Sequence, residues 1–117
     1  MWQIRICSKI AEKGRHKDAL VGALLIKGGQ VICSSANMSR PFGKLNRGFH
    51  AEERLLKSQK NAKGATLVVV RLNKHKKPAT MSRPCPKCWP LVLASGVKKV
   101  IYINWDGCVI VERIRYG

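Results

Sequence analysis

Acidic residues are scarce in this chain, and their scarcity sets its charge. The 117 residues include only 6 Asp and Glu against 23 Lys and Arg, which gives a formal net charge of +17. Hydrophobic residues make up 45% of the chain, a share that argues against a disordered segment. A folded domain under this much self-repulsion is most readily explained by a polyanionic partner, and we expect nucleic acid. The simpler alternative is that the charge is a solubility or expression artefact of a lysine-rich proteome.

Long apolar runs are also missing. No stretch of the sequence is long and apolar enough to cross a bilayer, and the N-terminus lacks the charged-then-apolar pattern of a signal peptide. We therefore expect an intracellular protein, cytoplasmic by default, with no membrane partner. The length of the chain predicts one domain, residues 1–117. In such a reducing setting the five cysteines are better interpreted as thiols or metal ligands than as disulfides.

Hydrophobic periodicity predicts three helices and five strands. The first helix carries an apolar stripe of Trp2, Ile6 and Ile10 with Cys7 and Ala11, and the third connects two strands by a crossover. Gly28-Gly29 and Asp106-Gly107 are both two-residue hairpin signals. The pattern predicts an α/β fold, a five-stranded mixed sheet with helices on its faces whose last two strands form an antiparallel hairpin. The predicted helices run from Trp2 to Gly14, from His50 to about Gln59 and from Cys85 to near Gly96, and the predicted strands cover 19–27, 30–36, 65–72, 97–105 and 108–116.

Two short stretches contain side chains of the types that bind zinc. His50 opens His50-Ala51-Glu52, and two cysteines lie in Pro84-Cys85-Pro86-Lys87-Cys88. One imidazole and two thiolates make three zinc ligands, which leaves the fourth tetrahedral position free for water, as in catalytic sites. Cys85 and Cys88 fall on one side of a helical first turn, where the helix dipole and free amides favour thiolates. The sequence therefore predicts a zinc ion held by His50, Cys85 and Cys88.

Glu52 lies two residues after the histidine and does not fit an ordinary surface position. Leu55 and Leu56 lie three and four residues further on, so Glu52 shares the apolar side of the predicted helix. A carboxylate turned inward costs several kcal/mol unless it is paired or hydrogen-bonded. A favourable helix-dipole position explains Glu53 but not Glu52. We therefore expect Glu52 to transfer protons at the zinc site.

Basic side chains alternate with rings in the predicted loop 37–49. Phosphates of a nucleic-acid strand can contact the cations while bases stack on a ring such as Phe42, although Phe42 equally fits an anchor of the loop to the core. A second basic loop, 73–83, leads directly into the cysteine pair. Lys98-Lys99 and Arg113-Arg115 either extend this surface or are ordinary solvent-facing pairs. The predicted contacts to the nucleic-acid backbone are Arg40, Lys44, Arg47, Lys74, Lys76, Lys77 and Lys87.

These two stretches, as H-x-E and P-C-x-x-C, resemble the signature of the zinc-dependent cytidine deaminase superfamily. The resemblance implies a three-layer cytidine-deaminase-like fold and hydrolytic deamination, in which Glu52 would move a proton from zinc-activated water to the base and then assist ammonia departure. It also implies that Asn37 contacts the nucleoside and that the Ala51 backbone N–H holds the base. Many relatives have an acidic or small polar residue before the Pro-Cys pair, whereas this chain places Arg83 before Pro84, beside the expected substrate.

The resemblance leaves the substrate open. A single nucleotide carries too little charge to need +17, whereas each phosphate of a strand can be met by one Lys or Arg. We therefore expect conversion of cytosine to uracil in single-stranded DNA or RNA. The alternatives are a free cytidine or deoxycytidylate deaminase and a tRNA adenosine deaminase. The Asp106-Gly107 hairpin resembles the antiparallel finish of the free-nucleoside branch and of some bacterial DNA-acting toxin deaminases. Relatives of this size often assemble through helix faces, so a homo-oligomer is compatible with the sequence.

A zinc module that binds nucleic acid without catalysis is a hypothesis from another class. Such a module needs a fourth ligand in place of the open position, for example Cys33, His75 or Cys108. Cys33 lies in an alternating strand and Cys108 opens one, so both also fit small core residues.

Overall fold

The computed structural model describes residues 2–12, 20–36, 62–72, 84, 89–104 and 106–114, and these form a mixed sheet with two helices. Neither described helix is long and apolar enough to cross a membrane. The predicted α/β class is confirmed, while the predicted helix over 50–59 lies outside the described residues. The elements are α1 (Trp2–Glu12), β1 (Leu20–Lys27), β2 (Gln30–Ala36), β3 (Thr66–Leu72), α2 (Trp89–Ser95), β4 (Lys99–Ile103) and β5 (Val109–Arg113).

The five strands lie in the order β2-β1-β3-β4-β5. β1 is antiparallel to both β2 and β3, β3 is parallel to β4, and β4 is antiparallel to β5. The one parallel pair is joined through α2, so the predicted crossover and the predicted antiparallel finish are both confirmed. β3 occupies the centre of the sheet, where every one of its residues except Arg71 is buried.

Successive residues of β3 point to opposite faces of the sheet, and each face has its own core. Leu67 and Val69 belong to one cluster of buried side chains, and Val68 and Val70 belong to the other. We call them the α2-face cluster and the α1-face cluster after the helix that each includes. The α1-face cluster consists of Cys7, Ala11, Leu24, Ile26, Val68, Val70, Leu72, Ile101 and Ile103. The α2-face cluster consists of Ala23, Leu25, Ala62, Ala65, Leu67, Val69, Val92, Val97, Val100 and Tyr102.

The buried side of α1 differs from the predicted stripe. Cys7 and Ala11 are fully buried, whereas Trp2 and Ile6 remain 38% and 37% exposed. The cause is the close approach of the helix to β1 at Gly22, where a Cβ would lie 2.6 Å from the Cys7 carbonyl oxygen and 2.7 Å from the Ala11 nitrogen. The Cys7 thiol also donates a hydrogen bond to the Gly22 carbonyl oxygen at 3.1 Å. Only small residues allow this contact, so they occupy the interface.

The two glycine turns differ in length. Gly28 and Gly29 join the paired residues Lys27 and Gln30 in the predicted two-residue hairpin. Both glycines have positive φ, 62° and 77°, as the central residues of such a turn require. The two-residue hairpin predicted at Asp106-Gly107 is wrong, because the last pair of β4 and β5 is Ile103 with Val109.

The side chain of Asn104 accounts for the longer β4–β5 loop. Its Oδ1 accepts hydrogen bonds from the backbone N–H groups of Asp106 and Cys108, both at 3.0 Å. Asparagine commonly organises turns by such side-chain contacts to nearby backbone. The loop closes with a bond from the Asn104 N–H to the Cys108 carbonyl oxygen at 2.9 Å.

We predict that Gly22→Ala destabilises the fold, because the added methyl group meets the backbone of α1. Overpacking of this kind costs about 1–3 kcal/mol, measured as a lower free energy of unfolding in urea. Ser34→Ala, at an exposed position of the neighbouring strand β2, is the control and should change that free energy by less than about 0.5 kcal/mol. Equal stability of the Gly22→Ala variant and the wild type would contradict this account of the contact.

Candidate metal centre

The residues predicted to hold zinc and transfer protons, His50, Glu52, Cys85 and Cys88, lie outside the described residues. The same is true of the predicted substrate contacts Asn37, Phe42, Ala51 and Arg83, and of all seven predicted backbone contacts, Arg40, Lys44, Arg47, Lys74, Lys76, Lys77 and Lys87. Pro84 is the exception, and it is buried. The structure therefore bears on this site through the residues that flank its two halves.

Both halves of the motif are followed by residues of the same core. Ala62, which comes after the segment carrying His50 and Glu52, belongs to the α2-face cluster at 2% exposure. Trp89, which directly follows Cys88, is half-buried and packs against that cluster. A hydrogen bond from the Gly64 N–H to the Gly96 carbonyl oxygen at 2.8 Å joins the two stretches further along the chain. The two halves thus return to the described fold on one face of the sheet.

The crossover indicates at which end of the sheet α2 begins. β3 ends at Leu72, and the chain passes through buried Pro84 before α2 begins at Trp89. A helix that joins two parallel strands runs back from the carboxyl end of the first strand to the amino end of the second. The first residue of α2 therefore lies toward the carboxyl end of β3. In open α/β sheets this is the side on which ligands bind.

The described residues by themselves contain no group of three His, Cys, Asp or Glu side chains that could hold a metal ion. Cys7, Cys33 and Cys108 are free thiols. Cys33 packs against the α2-face cluster, as a small core residue does, whereas Cys108 is exposed, so the core position expected for it is wrong.

Cys33 and Cys108 lie at opposite edges of the sheet. Cys33 is in edge strand β2, and Cys108 directly precedes edge strand β5. Four strand spacings of about 4.8 Å separate these edges, whereas a Zn–S bond is about 2.3 Å long. The two thiols therefore cannot bind the same zinc ion.

The chain matches the family model described as the cytidine and deoxycytidylate deaminase zinc-binding region over residues 2–104. The protein belongs to this family and is a hydrolase of the cytidine-deaminase type. Because the family is defined by its zinc-binding region, membership implies zinc. The donor set of one imidazole and two thiolates fits that metal.

Solved structures share the fold. The cytidine deaminase from Burkholderia pseudomallei is similar with a TM-score of 0.71 and 22% identity over 96% of this chain and 90% of that chain. The apo dCMP deaminase from the cyanophage S-TIM5 has a TM-score of 0.57 and 22% identity over 88% of this chain and 78% of that chain. No match was found among curated proteins.

A third similar structure belongs to a larger protein. It is the diaminohydroxyphosphoribosylaminopyrimidine deaminase/5-amino-6-(5-phosphoribosylamino)uracil reductase from Thermotoga maritima, with a TM-score of 0.55 and 25% identity. The match covers 85% of this chain but only 27% of that one. The shared fold is thus one part of that protein.

The structure also brings together basic residues that the sequence shows only as isolated pairs. Lys98, Lys99 and Arg113 line one small surface pocket of about 100 Å³. Lys99 and Arg113 are directly opposite each other on β4 and β5. An alternating strand pattern after Asp106-Gly107 is the only sequence signal that could have suggested this pairing.

We predict that the purified protein holds about one zinc ion per chain and that His50→Ala, Cys85→Ser and Cys88→Ser each lose it, because each removes one of three ligands. Metal content after dialysis, measured by mass spectrometry, checks this. Cys33→Ser and Cys108→Ser are matched controls and should keep the metal. Loss of zinc from either control variant would instead indicate a closed site with four protein ligands.

Proposed function

We propose that the protein catalyses zinc-dependent hydrolytic deamination of cytosine to uracil in single-stranded DNA or RNA. The observation that carries this proposal is the position of the positive charge. Eleven of the 23 Lys and Arg residues fall in segments 37–61 and 73–88, which contain every predicted zinc and substrate residue. The only acidic residues in those segments are Glu52 and Glu53. A strand offers one phosphate per nucleotide to such a concentration of cations, whereas a free nucleoside offers none.

In this proposal His50, Cys85 and Cys88 hold the zinc ion. Three ligands leave one coordination position open, and zinc bound in this way supplies a hydroxide nucleophile near neutral pH. Family membership supports the assignment, as does the return of both motif halves to the α2 face at Ala62 and Trp89.

Glu52 is the proposed proton carrier. As the water oxygen adds to C4 of cytosine, the Glu52 carboxylate takes a proton from the water and delivers it to N3. Glu52 then moves the remaining hydroxyl proton to the exocyclic nitrogen, the C4–N4 bond breaks, and ammonia leaves. Water and cytosine are consumed, and uracil and ammonia are formed, so the step needs no other reactant.

Five further residues are proposed to position the base. Asn37 contacts the nucleoside and the Ala51 backbone N–H holds the base, while Phe42 offers a ring for stacking. Arg83 and Pro84 precede the cysteine pair directly, and the burial of Pro84 fits a wall of the pocket rather than a solvent-exposed loop. The positive charge of Arg83 favours a substrate that carries phosphate next to the reacting nucleotide.

Deamination of free cytidine or deoxycytidylate is the second candidate. It is supported by the names of two similar structures, a cytidine deaminase and a dCMP deaminase. The antiparallel pairing of β4 with β5 resembles the finish of the free-nucleoside branch, and also that of some bacterial DNA-acting toxin deaminases. The same pairing argues against a tRNA adenosine deaminase, which would continue into a parallel strand. The charge of +17 favours the polynucleotide over the free nucleotide.

We expect the zinc-loaded protein to deaminate cytosine in a single-stranded oligonucleotide faster than it deaminates cytidine or deoxycytidylate. Mass spectrometry of products from matched concentrations measures this directly. An oligonucleotide with adenine at the same position is the control for the base. Faster turnover of the free nucleotide would make the second candidate the correct one, and reaction of adenine alone would indicate an adenosine deaminase.

Glu52→Ala is expected to keep its zinc and to lose deaminase activity by at least about 100-fold, because general acid–base catalysis contributes roughly 10²–10⁴. Glu53→Ala removes the neighbouring carboxylate and should retain both zinc and activity. Metal content and turnover are measured on the same samples. If Glu52→Ala is as active as the wild type, Glu52 has no part in the reaction.

A further inference from the structure

Three basic side chains line one pocket at the end of the sheet where β4 begins and β5 ends. Lys98 directly precedes β4, Lys99 begins β4 and Arg113 ends β5, and together they line a pocket of about 100 Å³. Pockets for whole small molecules are typically about 300–1,000 Å³. The volume therefore suits one ionic group rather than an entire nucleotide.

Backbone hydrogen bonds hold this pocket in place. The Lys98 N–H donates to the Ala65 carbonyl oxygen at 2.8 Å, and the Ile114 N–H donates to the Lys98 carbonyl oxygen at 3.0 Å. Ala65 is fully buried in the α2-face cluster. The backbone at Lys98 is thus hydrogen-bonded to the core on one side and to the end of β5 on the other. The three basic residues therefore project from a well-anchored part of the sheet.

The charges in the pocket are not balanced by the described residues. Lys99 and Arg113 are direct cross-strand partners, an arrangement that is unfavourable for like charges. Glu112 is adjacent to Arg113 but alternates to the other face of β5, where it accepts a hydrogen bond from the Tyr102 hydroxyl at 3.1 Å. Within the described part of the chain, no ion pair involves any of the three cations. An anion bound in the pocket would remove this repulsion.

The pocket lies at the end of the sheet opposite the proposed metal centre. Lys99 is at the amino end of β4, whereas the chain leading to the cysteine pair leaves from the carboxyl end of the parallel strand β3. The five residues of β4 span about 13 Å at roughly 3.3 Å per residue. A nucleotide whose base is in the metal site would therefore need neighbours along its strand to place a phosphate here.

We infer that the pocket formed by Lys98, Lys99 and Arg113 is a phosphate-binding site for the backbone of a polynucleotide, several nucleotides away from the base that reacts. This inference rests on the proposed polynucleotide substrate and deepens it. The site binds one phosphate through charge and reads no base, so it contributes affinity and not sequence preference. A strand binds tightly only if it is long enough to reach from the proposed metal centre to this pocket.

The test compares two double variants with the same loss of charge. Lys99→Gln with Arg113→Gln removes the cross-strand pair, and Arg5→Gln with Lys9→Gln removes two exposed cations of α1. Binding of a labelled single-stranded oligonucleotide is measured by fluorescence anisotropy across a range of salt concentrations. The pocket variant should bind several-fold more weakly, and the magnitude of its slope of log K against log[salt] should be lower by about 0.7, the value for one phosphate contact on a single strand.

Three results would overturn the inference. One is an unchanged salt slope in the pocket variant, and another is an equal change in the α1 variant, which would indicate only a loss of general charge. The third is loss of affinity for a free nucleoside triphosphate with unchanged affinity for the oligonucleotide, which would assign the pocket to a free nucleotide. The thermal midpoint of the pocket variant should not fall, because the substitutions remove a repulsion.

A trinucleotide centred on cytosine separates the pocket from the metal centre. It is too short to reach Lys99 and Arg113, so the wild type and the pocket variant should bind it equally, and equal weakening would contradict a distant site. Binding is measured without turnover, so the two proposals can fail separately. If the pocket variant shows the expected change in salt slope but the wild type deaminates no substrate, only the proposed reaction is refuted. If the wild type deaminates oligonucleotides but the pocket variant has an unchanged salt slope, only the proposed pocket is refuted.

Discussion

The burial of β3 on both faces is the constraint on which the rest of this fold depends. A central strand with apolar residues at successive positions must be covered from both sides, and here one described helix contributes to each cover. On one side α1 achieves this by approaching Gly22 so closely that only Cys7 and Ala11 fit between helix and strand. On the other side α2 packs through Val92. The sheet is thereby the middle of three layers.

That arrangement also fixes where the helix that follows the cysteine pair begins. Because α2 is the crossover between the parallel strands β3 and β4, the chain must travel from the carboxyl end of β3 to reach the start of the helix. In the sequence the cysteine pair lies between buried Pro84 and half-buried Trp89. The proposed zinc ligands Cys85 and Cys88 thus directly precede a helix that the core already requires.

The charged residues lie outside the two core clusters. The two core clusters contain no charged residue, and most of the cations belong to the segments around the motif and to the sheet margin at Lys98, Lys99 and Arg113. Long-range attraction of a polyanion requires many such charges, but the chemistry requires only one carboxylate and three ligands. The excess of cations over what a small substrate needs is the reason for proposing a polynucleotide substrate, which stays a prediction.

Local signals were sufficient for much of this protein. The Gly28-Gly29 hairpin follows from the two glycines, because they adopt positive φ without steric cost, and β3 follows from its continuous apolar run. The family match supports the predicted zinc, whereas the donor set His50, Cys85 and Cys88 and its open coordination position stay predictions from side-chain chemistry. Where the site residues lie relative to one another stays a prediction.

Only the tertiary structure decided features that depend on residues far apart in the chain. The buried side of α1 is set by the contact with Gly22, which lies fifteen residues after Cys7, and helical periodicity alone cannot reveal that contact. The β4–β5 loop has its length because the Asn104 side chain binds two backbone amides and competes with the tight turn. Lys99 and Arg113 become neighbours only through the register of two strands. Periodicity specifies which elements form, whereas contacts between elements decide which faces they bury and which charges they bring together.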